Sequence, residues 1–586
     1  MVFLSGDPKA ARPFARFLRV GTVPSWADLI AFLLLAAAAI LIVRGAEDMS
    51  QSLALLHAAP VTLDLSRLPE YALRTTLRMF LALSASLIFT FTVATLAAKS
   101  RKAELIIVPA LDILQSVPVL GFLTFTVTFF MGLFPGRQLG VECAAIFAIF
   151  TSQAWNMAFS FYQSLRSIPS DLDEVSRQFA FSPWRRFVRL ELPFATPSLV
   201  WNVMMSMSGG WFFVVASEAI TVGDTTVTLP GIGSWLSLAI AGQDMQAVAI
   251  GVGAMAVVIV LYDQLVFRPI VAWADKFRFE QTASGERPGS WLYDLVRRTR
   301  WLRAAVAPLS WPGKAMATVD WPAGPKLHFD RLAPPAWIGK ALDVLWITLV
   351  VGLGLAGGWV LWEYLSAHLM FAELVTAFGL GLVTLARVVV LIALATLIWV
   401  PIGMWIGMRP AWAERLQPIA QFLAAFPANV MFPFAVAAIV AFPLDPNIWL
   451  SPLMVLGTQW YILFNVIAGA SAIPSDLKEA ARIFGIRGWQ WWRQVGIPGI
   501  FPYYVTGALT ASGGSWNASI VAEAVTWGDK HLEAAGLGAF IAKATTAGDY
   551  ARVALGVAVM SIFVIAFNRA LWRPMYRFAE RRLRLA

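Results

Sequence analysis

The chain has 586 residues, of which 59% are hydrophobic and 14% are charged, and its mean hydropathy is +0.68. A soluble protein of this length is far more polar, so the composition indicates a polytopic membrane protein. We assign the net charge of +10 to the bias that places Lys and Arg in cytoplasmic loops, not to a nucleic-acid partner.

The residue types that hold metals or act as nucleophiles are few and scattered. The single cysteine, Cys143, lies in an apolar run, so the sequence predicts neither a disulfide framework nor a cysteine metal site. The histidines have no spacing typical of metal ligands; they are His57, His328, His368 and His531. We therefore expect no catalytic residue and no metal site in this chain.

The apolar runs predict an all-α polytopic membrane protein. A basic N-terminus precedes an apolar run that lacks a convincing cleavage site, so we interpret this run as a retained first helix. A spanning helix needs about 20 apolar residues, and on this measure each half has six spans, about twelve in all. They fall near 26–43, 76–98, 107–131, 142–165, 194–219, 246–267, 341–366, 376–407, 414–441, 449–470, 499–523 and 551–571.

The charges between the spans give the orientation. Basic residues cluster in alternate loops, near 99–102, 185–189, 409–415, 487–493 and 577–584. The predicted outer loops 132–141 and 442–448 share a single arginine, Arg137. The positive-inside rule therefore places both termini in the cytoplasm.

The two halves are copies of one unit. The segment Ile168-Pro169-Ser170-Asp171-Leu172 returns as Ile473-Pro474-Ser475-Asp476-Leu477, at an offset of 305. The same offset relates Trp155 to Trp460, Pro193 to Pro498 and Glu218 to Glu523. One spacing kept over such a length indicates a duplicated structural unit, and parallel repeats are typical of transporters.

We divide the chain into a first module over 1–269 (a first helix plus a core over about 70–269), a linker over 270–340 and a second module over 341–586. The linker is polar and rich in proline, with Arg297, Arg298 and Arg300 beside several tryptophans. This composition fits a segment that lies on anionic headgroups, or a tether packed against a partner or the rest of the chain. The sequence leaves both interpretations open.

The loop after the fourth span of each half predicts two short helices joined by a turn. Ser170 and Ser475 are good N-cap residues for the first helix. Gly485 suits a left-handed residue that ends this helix, and Ala180 takes its place in the first copy, at roughly 1 kcal/mol if the conformation is left-handed. Ser182 and the proline after it fit the start of the second helix.

This loop resembles the cytoplasmic coupling loop of permease subunits in binding-protein-dependent ABC importers. The second copy matches nearly throughout, with Glu479, Ala480, Ala481, Gly485, Ile497 and Pro498 at the motif positions. The first copy keeps Glu174, Leu192 and Pro193 but has Val175, Ser176 and Ala180 elsewhere in the motif. The first loop is therefore expected to dock less tightly, or through different packing.

The resemblance extends into the membrane. Each half has an arginine early in its second span, a tryptophan and a Glu-Ala element in its fifth span, and a glycine pair after it; these are Arg78, Trp211, Glu218, Gly231 and Gly233, and Arg387, Trp516, Glu523, Gly536 and Gly538. Together they resemble the nitrate/sulfonate/taurine branch of the importer permeases, and the fusion resembles its duplicated anion-transport permeases. The likeness covers both membrane halves but not the linker.

The resemblance implies two tandem six-helix permease modules of the type I importer class. Each loop docks on a separate ATP-binding subunit, so two copies of that subunit are expected, with ATP and Mg bound there. This chain has no phosphate loop of the Gly-x-x-x-x-Gly-Lys-Ser/Thr type and needs no cofactor of its own. The competing interpretation is an amphipathic cytoplasmic connection without a partner.

The expected function is import of a small anion, such as nitrate, a sulfonate, taurine or bicarbonate, across the bacterial inner membrane. Lipid is the surrounding partner, no nucleic acid is expected, and whether a periplasmic substrate-binding protein docks on the short outer loops stays open. The alternative is a secondary transporter of twelve spans driven by an ion gradient, with Glu218 and Glu523 as proton sites.

Charged residues inside the spans are candidate functional groups, because they are costly there. Arg78 and Arg387 are expected at the same depth as Glu218 and Glu523, which favours internal ion pairs over an anion path. Trp211 and Trp516 follow glycine-rich elements and either line the pathway or serve ordinary helix packing. Gln153, Asn156 and Gln459 are weaker candidates.

Overall fold

The computed structural model describes residues 61–116, 119–222, 225–277, 290–299 and 336–582, together with Trp26, Leu29, Ile30 and Leu33. The first predicted span therefore lies almost wholly outside the described residues. Most of the predicted linker lies outside them as well, apart from its two ends and the short helix Trp291–Arg298.

The first half is a set of long helices joined by short irregular segments. A 3₁₀ turn, Leu65–Arg67, leads into the first of them. The helices are α1 (Leu68–Phe89), α2 (Thr95–Lys99), α3 (Arg101–Ser116), α4 (Val119–Leu133), α5 (Gln138–Arg166), α6 (Ser170–Gln178), α7 (Pro183–Arg186), α8 (Leu192–Glu218), α9 (Ile232–Ala241), α10 (Met245–Tyr262), α11 (Arg268–Ala274) and α12 (Trp291–Arg298), and a 3₁₀ turn, Asp275–Phe277, follows α11.

The second half repeats this order. Its helices are α13 (Ala336–His368), α14 (Phe371–Gly407), α15 (Pro410–Ala425), α16 (Phe432–Ala441), α17 (Pro446–Trp449), α18 (Leu453–Leu456), α19 (Gln459–Ser471), α20 (Ser475–Ile483), α21 (Gly488–Trp491), α22 (Ile497–Ala522), α23 (Leu537–Thr546), α24 (Tyr550–Phe567) and α25 (Arg573–Arg582), with a 3₁₀ turn at Ala428–Met431. Short π-helical segments join consecutive helices of both halves; they are Thr90–Ala94, Phe187–Glu191, Asp263–Phe267, Trp492–Gly496 and Asn568–Trp572.

Six helices of the described residues are long and apolar enough to cross a membrane, and a bent pair, Pro446–Leu456 with Gln459–Ser471, raises the number to seven. This agrees with an all-α polytopic protein, while the total of twelve spans stays a prediction. Of the candidate spans, Val344–His368 has no buried residue in its apolar window, as expected of a helix whose sides face lipid.

Two predicted spans are broken, and a proline lies in an interruption of each. The span predicted at 414–441 divides into α15 and α16, with Pro427 between them. The span predicted at 449–470 is interrupted at 450–452, which includes Pro452, and again at Gly457 and Thr458, where the chain bends by 42°. Proline removes a backbone donor and keeps the preceding residue out of the helical region, so an apolar run continues across the break while the helix does not.

The offset between the copies changes within the chain. Pro427 follows Pro118 by 309 residues, and α15 follows α3 by the same number, whereas the offset is 305 from α5 onward. The second copy is therefore four residues shorter between its broken third span and its fourth span. This difference explains why Arg78 and Arg387, in the two second spans, are separated by 309 residues and not by 305.

A hairpin and a short helix between the fifth and sixth spans were not predicted from the sequence. The strands are β1 (Ala219–Val222) with β2 (Thr225–Thr228), and β3 (Ala524–Trp527) with β4 (Lys530–Glu533). Both hairpins are antiparallel in the same register, with Ala219 opposite Thr228 and Ala524 opposite Glu533. Each strand is only four residues long, which is too short for a clear alternation of apolar and polar residues, so the hydrophobic pattern gives little sign of it.

These hairpins bring the two halves together on the predicted outer side. Strand β3 packs on α9 and strand β1 packs on α23, so each hairpin contacts the short helix of the other half. The amide of Gly528 donates to the carbonyl of Ile240 at 3.2 Å, and the Gln243 amide donates to the carbonyl of Trp527 at 3.3 Å. One large cluster of buried apolar side chains continues through both halves. The halves are therefore one packed unit.

Candidate functional site

The loop after the fourth span has the same backbone in both halves. Helices α6 and α20 each end at a residue in the left-handed conformation, Ala180 with φ of 47° and Gly485 with φ of 66°. Each loop then runs through a second short helix, α7 or α21, and a π-helical segment into a long span. Both long spans have proline at their second position, Pro193 after Leu192 and Pro498 after Ile497.

The capping predictions for these loops are partly wrong. The N-cap residues of α6 and α20 are Pro169 and Pro474, and Ser170 and Ser475 are the first helical residues. The cause is the proline before each serine, whose fixed φ already starts the helix one residue earlier. Ser182 is the N-cap of α7 as predicted, and its Oγ accepts a hydrogen bond from the amide of Arg185 at 3.3 Å.

Each loop presents an acidic side chain inside an apolar surface. Glu174 and Glu479 are exposed and form no hydrogen bond or ion pair with the part of the chain that the structure describes. Large exposed apolar side chains lie on the same loops: Val175, Phe179, Ile483, Phe484 and Trp489, the last three being 74–79% exposed. Ala480 is half-buried and Ala481 is buried, so the first helix of the second loop rests on the protein by its alanine face.

The first loop is fastened by charges. Arg186 forms ion pairs with Asp173 at 2.6 Å and with Glu191 at 3.0 Å. Glu191 also pairs with Lys99, at the end of α2, at 2.9 Å. We name Asp173, Arg186, Glu191 and Lys99 the loop clamp. It connects the loop after the fourth span of the first half to the inner end of the second span.

The second loop has no such clamp. At the positions of Asp173, Arg186 and Glu191 it has Lys478, Trp491 and Gly496. A side chain added at Gly496 would run into the Trp491 ring, so the indole and the glycine fill the space by packing. One copy thus holds its loop by charge pairs and the other by an aromatic contact.

The intramembrane arginine and glutamate of the first half are in contact. Arg78 Nη1 donates to Glu218 Oε1 at 2.7 Å, and Arg78 also donates to both oxygens of Glu142 at 2.6 and 2.7 Å. The three side chains are fully buried. Sequence reasoning missed Glu142, although an acidic residue at the start of an apolar run was a visible signal.

Glu218 holds the hairpin segment to the bundle. Its Oε1 accepts from the hydroxyl of Thr75 at 2.7 Å and its Oε2 accepts from the amide of Gly233 at 2.6 Å. Arg78 also donates to the carbonyl of Pro230 at 3.0 Å. One carboxylate therefore joins the second span, the fifth span and the start of α9.

The second half repeats the arrangement with one exchange. Arg387 Nη1 donates to Glu523 Oε1 at 3.0 Å, Thr384 donates to the same oxygen at 3.0 Å, and the amide of Gly538 donates to Glu523 Oε2 at 2.8 Å. Asn447 stands where the first half has Glu142, and its side-chain and main-chain oxygens lie 3.5 and 3.4 Å from Arg387 Nη2. The first site therefore has two carboxylates for one arginine, and the second has one.

A cavity of about 210 Å³ lies between the halves, on the inner side of these ion pairs along the fifth spans. It is lined by the broken helices and by the glycine-rich turns of both fifth spans, including Gly209, Gly513 and Gly514. Asn156 is among its lining residues, whereas Trp211, Trp516 and the four paired charges are not. Trp211 packs edge-on against Tyr262, and Trp516 stacks with Phe563.

The comparison with protein families identifies the class. Residues 86–268 and 399–584 each match the family described as "Binding-protein-dependent transport system inner membrane component". The two matches cover more than half of the chain, so the chain belongs to this family and carries its domain twice. The prediction of a fused, duplicated permease of the ABC-importer type is confirmed, and both matched ranges lie inside the modules predicted from the sequence.

Individual relatives are similar over part of their length. The nitrate import permease protein NrtB of Leptolyngbya laminosa is 28% identical over 185 residues, which are 32% of this chain and 63% of the relative. The bicarbonate transport system permease protein CmpB of Synechococcus elongatus is 30% identical over 145 residues, 25% of this chain and 51% of the relative. The glycine betaine/proline betaine transport system permease protein ProW of Escherichia coli is 28% identical over 168 residues, 29% and 43% of the two chains. The matched region thus spans between two fifths and two thirds of these relatives.

The space beside Glu218 gives a first prediction. Gly231 has an extended backbone that any residue adopts, but an added Cβ would fall on the Glu218 carboxylate. Gly231→Ala should displace Glu218 from Arg78 and lower stability by about 3 kcal/mol, the usual cost of breaking a buried pair. Thermal unfolding of the detergent-purified protein measures this. Gly253→Ala, at a helical glycine with nothing within 4 Å, is the matched control and should leave stability equal or slightly higher.

A second prediction compares the two arginines. Arg78→Met leaves two buried carboxylates without a cation, whereas Arg387→Met leaves one beside a neutral asparagine. We expect Arg78→Met to be the more destabilising, since each uncompensated buried charge adds its own desolvation cost. Yield of folded protein and melting temperature, measured side by side, test the order. An equal or reversed order would contradict the charge count that we assign to the two sites.

The loop clamp gives a third prediction. Arg186→Gln removes the two ion pairs that Arg186 makes, so amide hydrogen exchange over 170–182 should become faster. The second loop, over 475–487, has no clamp and serves as an internal control whose exchange should not change. Unchanged exchange in the first loop would mean that the clamp does not order it.

Proposed function

We propose that this chain is the transmembrane subunit of an ATP-driven importer and that it moves a small anion across the inner membrane. It performs no chemistry itself. ATP hydrolysis takes place on two copies of a separate ATP-binding subunit, one at each coupling loop, and ATP and Mg are bound there. Both termini and both coupling loops face the cytoplasm.

The pair of loops carries this proposal. The two loops have the same backbone conformation and lie on the same predicted side of the membrane. Each has an exposed unpaired glutamate among exposed apolar side chains. Exposed apolar patches in an otherwise packed protein are typical of interaction sites. A partner that contributes a cation and an apolar groove would satisfy Glu174 or Glu479 together with the aromatic and aliphatic side chains around it.

The geometry also supports transmission of force. Each loop is continuous with its fifth span through a π-helical segment, and the fifth span leads to the paired glutamate and the hairpin on the outer side. Movement of a loop therefore acts on the whole length of a rigid helix. Two such levers, one in each half, would rock the halves against one another when the ATP-binding subunits close.

The substrate class rests on the relatives. Relatives named for nitrate and bicarbonate are similar to this chain, and one named for glycine betaine is similar as well. Two of these three relatives are named for small anions, so we take a small anion as the substrate of this chain. A periplasmic substrate-binding protein, which the family description names, would deliver it to the hairpin face.

The alternative of a secondary transporter requires a titratable group free to exchange protons. Glu218 and Glu523 are each held by an arginine, a threonine hydroxyl and a backbone amide, which leaves little freedom for that role. Gentle purification from the native membrane distinguishes the two functions. Two ATP-binding subunits per chain would support the importer, and a chain that purifies alone and transports without ATP would overturn it.

Substitutions in the second loop test the coupling directly. Glu479→Lys reverses the exposed charge, and Gly485→Val forces a β-branched residue into a left-handed conformation that it strongly disfavours. Both variants should insert and fold but lose ATP-dependent uptake and co-purification of the ATP-binding subunit. Arg577→Glu, a charge reversal at an exposed residue of α25 on the same predicted side of the membrane, is the control and should transport normally. Normal uptake by both loop variants would contradict the assignment.

A further inference from the structure

The cavity between the halves has a mostly apolar lining with several polar side chains and no fixed charge. Among the described residues that line it there is no Asp, Glu, Lys, Arg or His. Its polar side chains come from both halves and include Asn156, Tyr461 and Asn517. The two arginines that an anion path would be expected to use are instead engaged by carboxylates outside the cavity. Any anion that enters this cavity is therefore met by neutral groups.

One lining residue has an unused donor. Trp572, at the end of the π-helical segment of the last span, is 3% exposed, and its indole N–H finds no acceptor in the described protein. An indole N–H only donates, so what it lacks is an oxygen or another acceptor. A buried donor without a partner costs about 1–3 kcal/mol, which an acceptor brought into the cavity would recover.

The duplicated half shows that this donor is not needed for packing. Phe267 stands at the position of Trp572, 305 residues earlier, and packs edge-on against Tyr262 with ring centres 5.2 Å apart. Trp572 packs edge-on against Phe567, the equivalent of Tyr262, at 6.0 Å. The same fold thus accepts a phenyl ring here, and only the second half adds an N–H.

Other polar side chains of the cavity are held by hydrogen bonds that do not use all of their N–H donors. The Asn156 amide donates to Ser206 Oγ at 3.0 Å, which uses one of its two N–H groups. Asn517 Oδ1 accepts from the amide of Val119, at the start of α4, at 2.8 Å. Thr458 and Ser515 share a hydrogen bond of 3.0 Å. The bond between Val119 and Asn517 joins the two halves, and the other two bonds fix polar side chains within one half each.

We infer that the cavity is a transient binding site for the transported solute, a small oxyanion held by neutral N–H and O–H donors among which Trp572 is one. The anionic nature of the solute rests on the proposed function; the neutral donor set comes from the lining residues. Neutral donors suit transport, because a site must bind well enough to admit its ion and weakly enough to release it. A buried arginine would hold the ion far more strongly.

The size of the cavity limits the solute. A volume of about 210 Å³ corresponds to about seven water molecules and is below the range of about 300–1,000 Å³ typical of pockets for larger ligands. It accommodates a small oxyanion with part of its hydration shell.

Two tryptophan variants test the inference. The full complex, with its ATP-binding subunits and binding protein, is reconstituted into vesicles, and nitrate uptake and ATP hydrolysis are measured in the same sample. Trp572→Phe removes the N–H and leaves the ring type that the first half has. Loss of one hydrogen bond to a charged group should lower uptake by about tenfold while ATP hydrolysis continues, so fewer ions move per ATP.

Trp516→Phe is the matched control. Trp516 is 1% exposed and its indole N–H also has no acceptor in the described residues, but it does not line the cavity. It should transport as the unmodified protein does. Asn156→Asp, which places a carboxylate in the cavity, should abolish nitrate uptake, whereas the neutral Asn156→Gln should retain part of it.

The outcomes separate the two proposals. If the unmodified complex takes up nitrate and both tryptophan variants behave alike, the cavity site is overturned and the importer function stands. If the unmodified complex hydrolyses ATP but moves no nitrate, the proposed anion is wrong and the site assignment falls with it. Selective loss in Trp572→Phe together with loss in Asn156→Asp supports the site.

Discussion

The buried arginine and glutamate in each half hold together the outer end of the membrane bundle. The pair joins the second span to the fifth span, and the same carboxylate receives a threonine hydroxyl and the first amides of the short helix after the hairpin. In the membrane no water is available to satisfy these groups, so the contacts are made together or the segment does not pack. The hairpins, and through them the contact between halves, depend on this arrangement.

The two copies have the same backbone arrangement but differ in their side-chain contacts. Helix order, hairpin register, π-helical segments and the left-handed loop residues all recur, whereas the partners of equivalent residues do not. A glutamate becomes an asparagine beside the arginine, a charge clamp becomes a tryptophan against a glycine, and a phenyl ring becomes an indole beside the cavity. A permease built from one fused chain therefore has two halves of the same fold with unlike contacts.

The sequence predicted what depends on composition and local chemistry. Apolar runs located the long spans, and the left-handed turn at Gly485 followed from the residue type, because few other residues adopt that conformation at no cost. It did not predict the breaks in two spans, where the helix is interrupted near a proline but the apolar pattern is not. It also missed the hairpins, and the partners Glu142 and Asn447, because contacts between spans far apart in sequence leave no periodic signal.

Gln243 shows that the same backbone conformation is more strained in the first half than in the second. It has a positive φ of 53°, and the residue at its place in the second half is Gly548, with φ of 66°. Ala180 and Gly485 show the same contrast, so twice the first copy carries an ordinary residue where the second has glycine. Each such residue adds roughly 1 kcal/mol of backbone strain that glycine avoids. The same backbone path thus holds more strain in the first half than in the second.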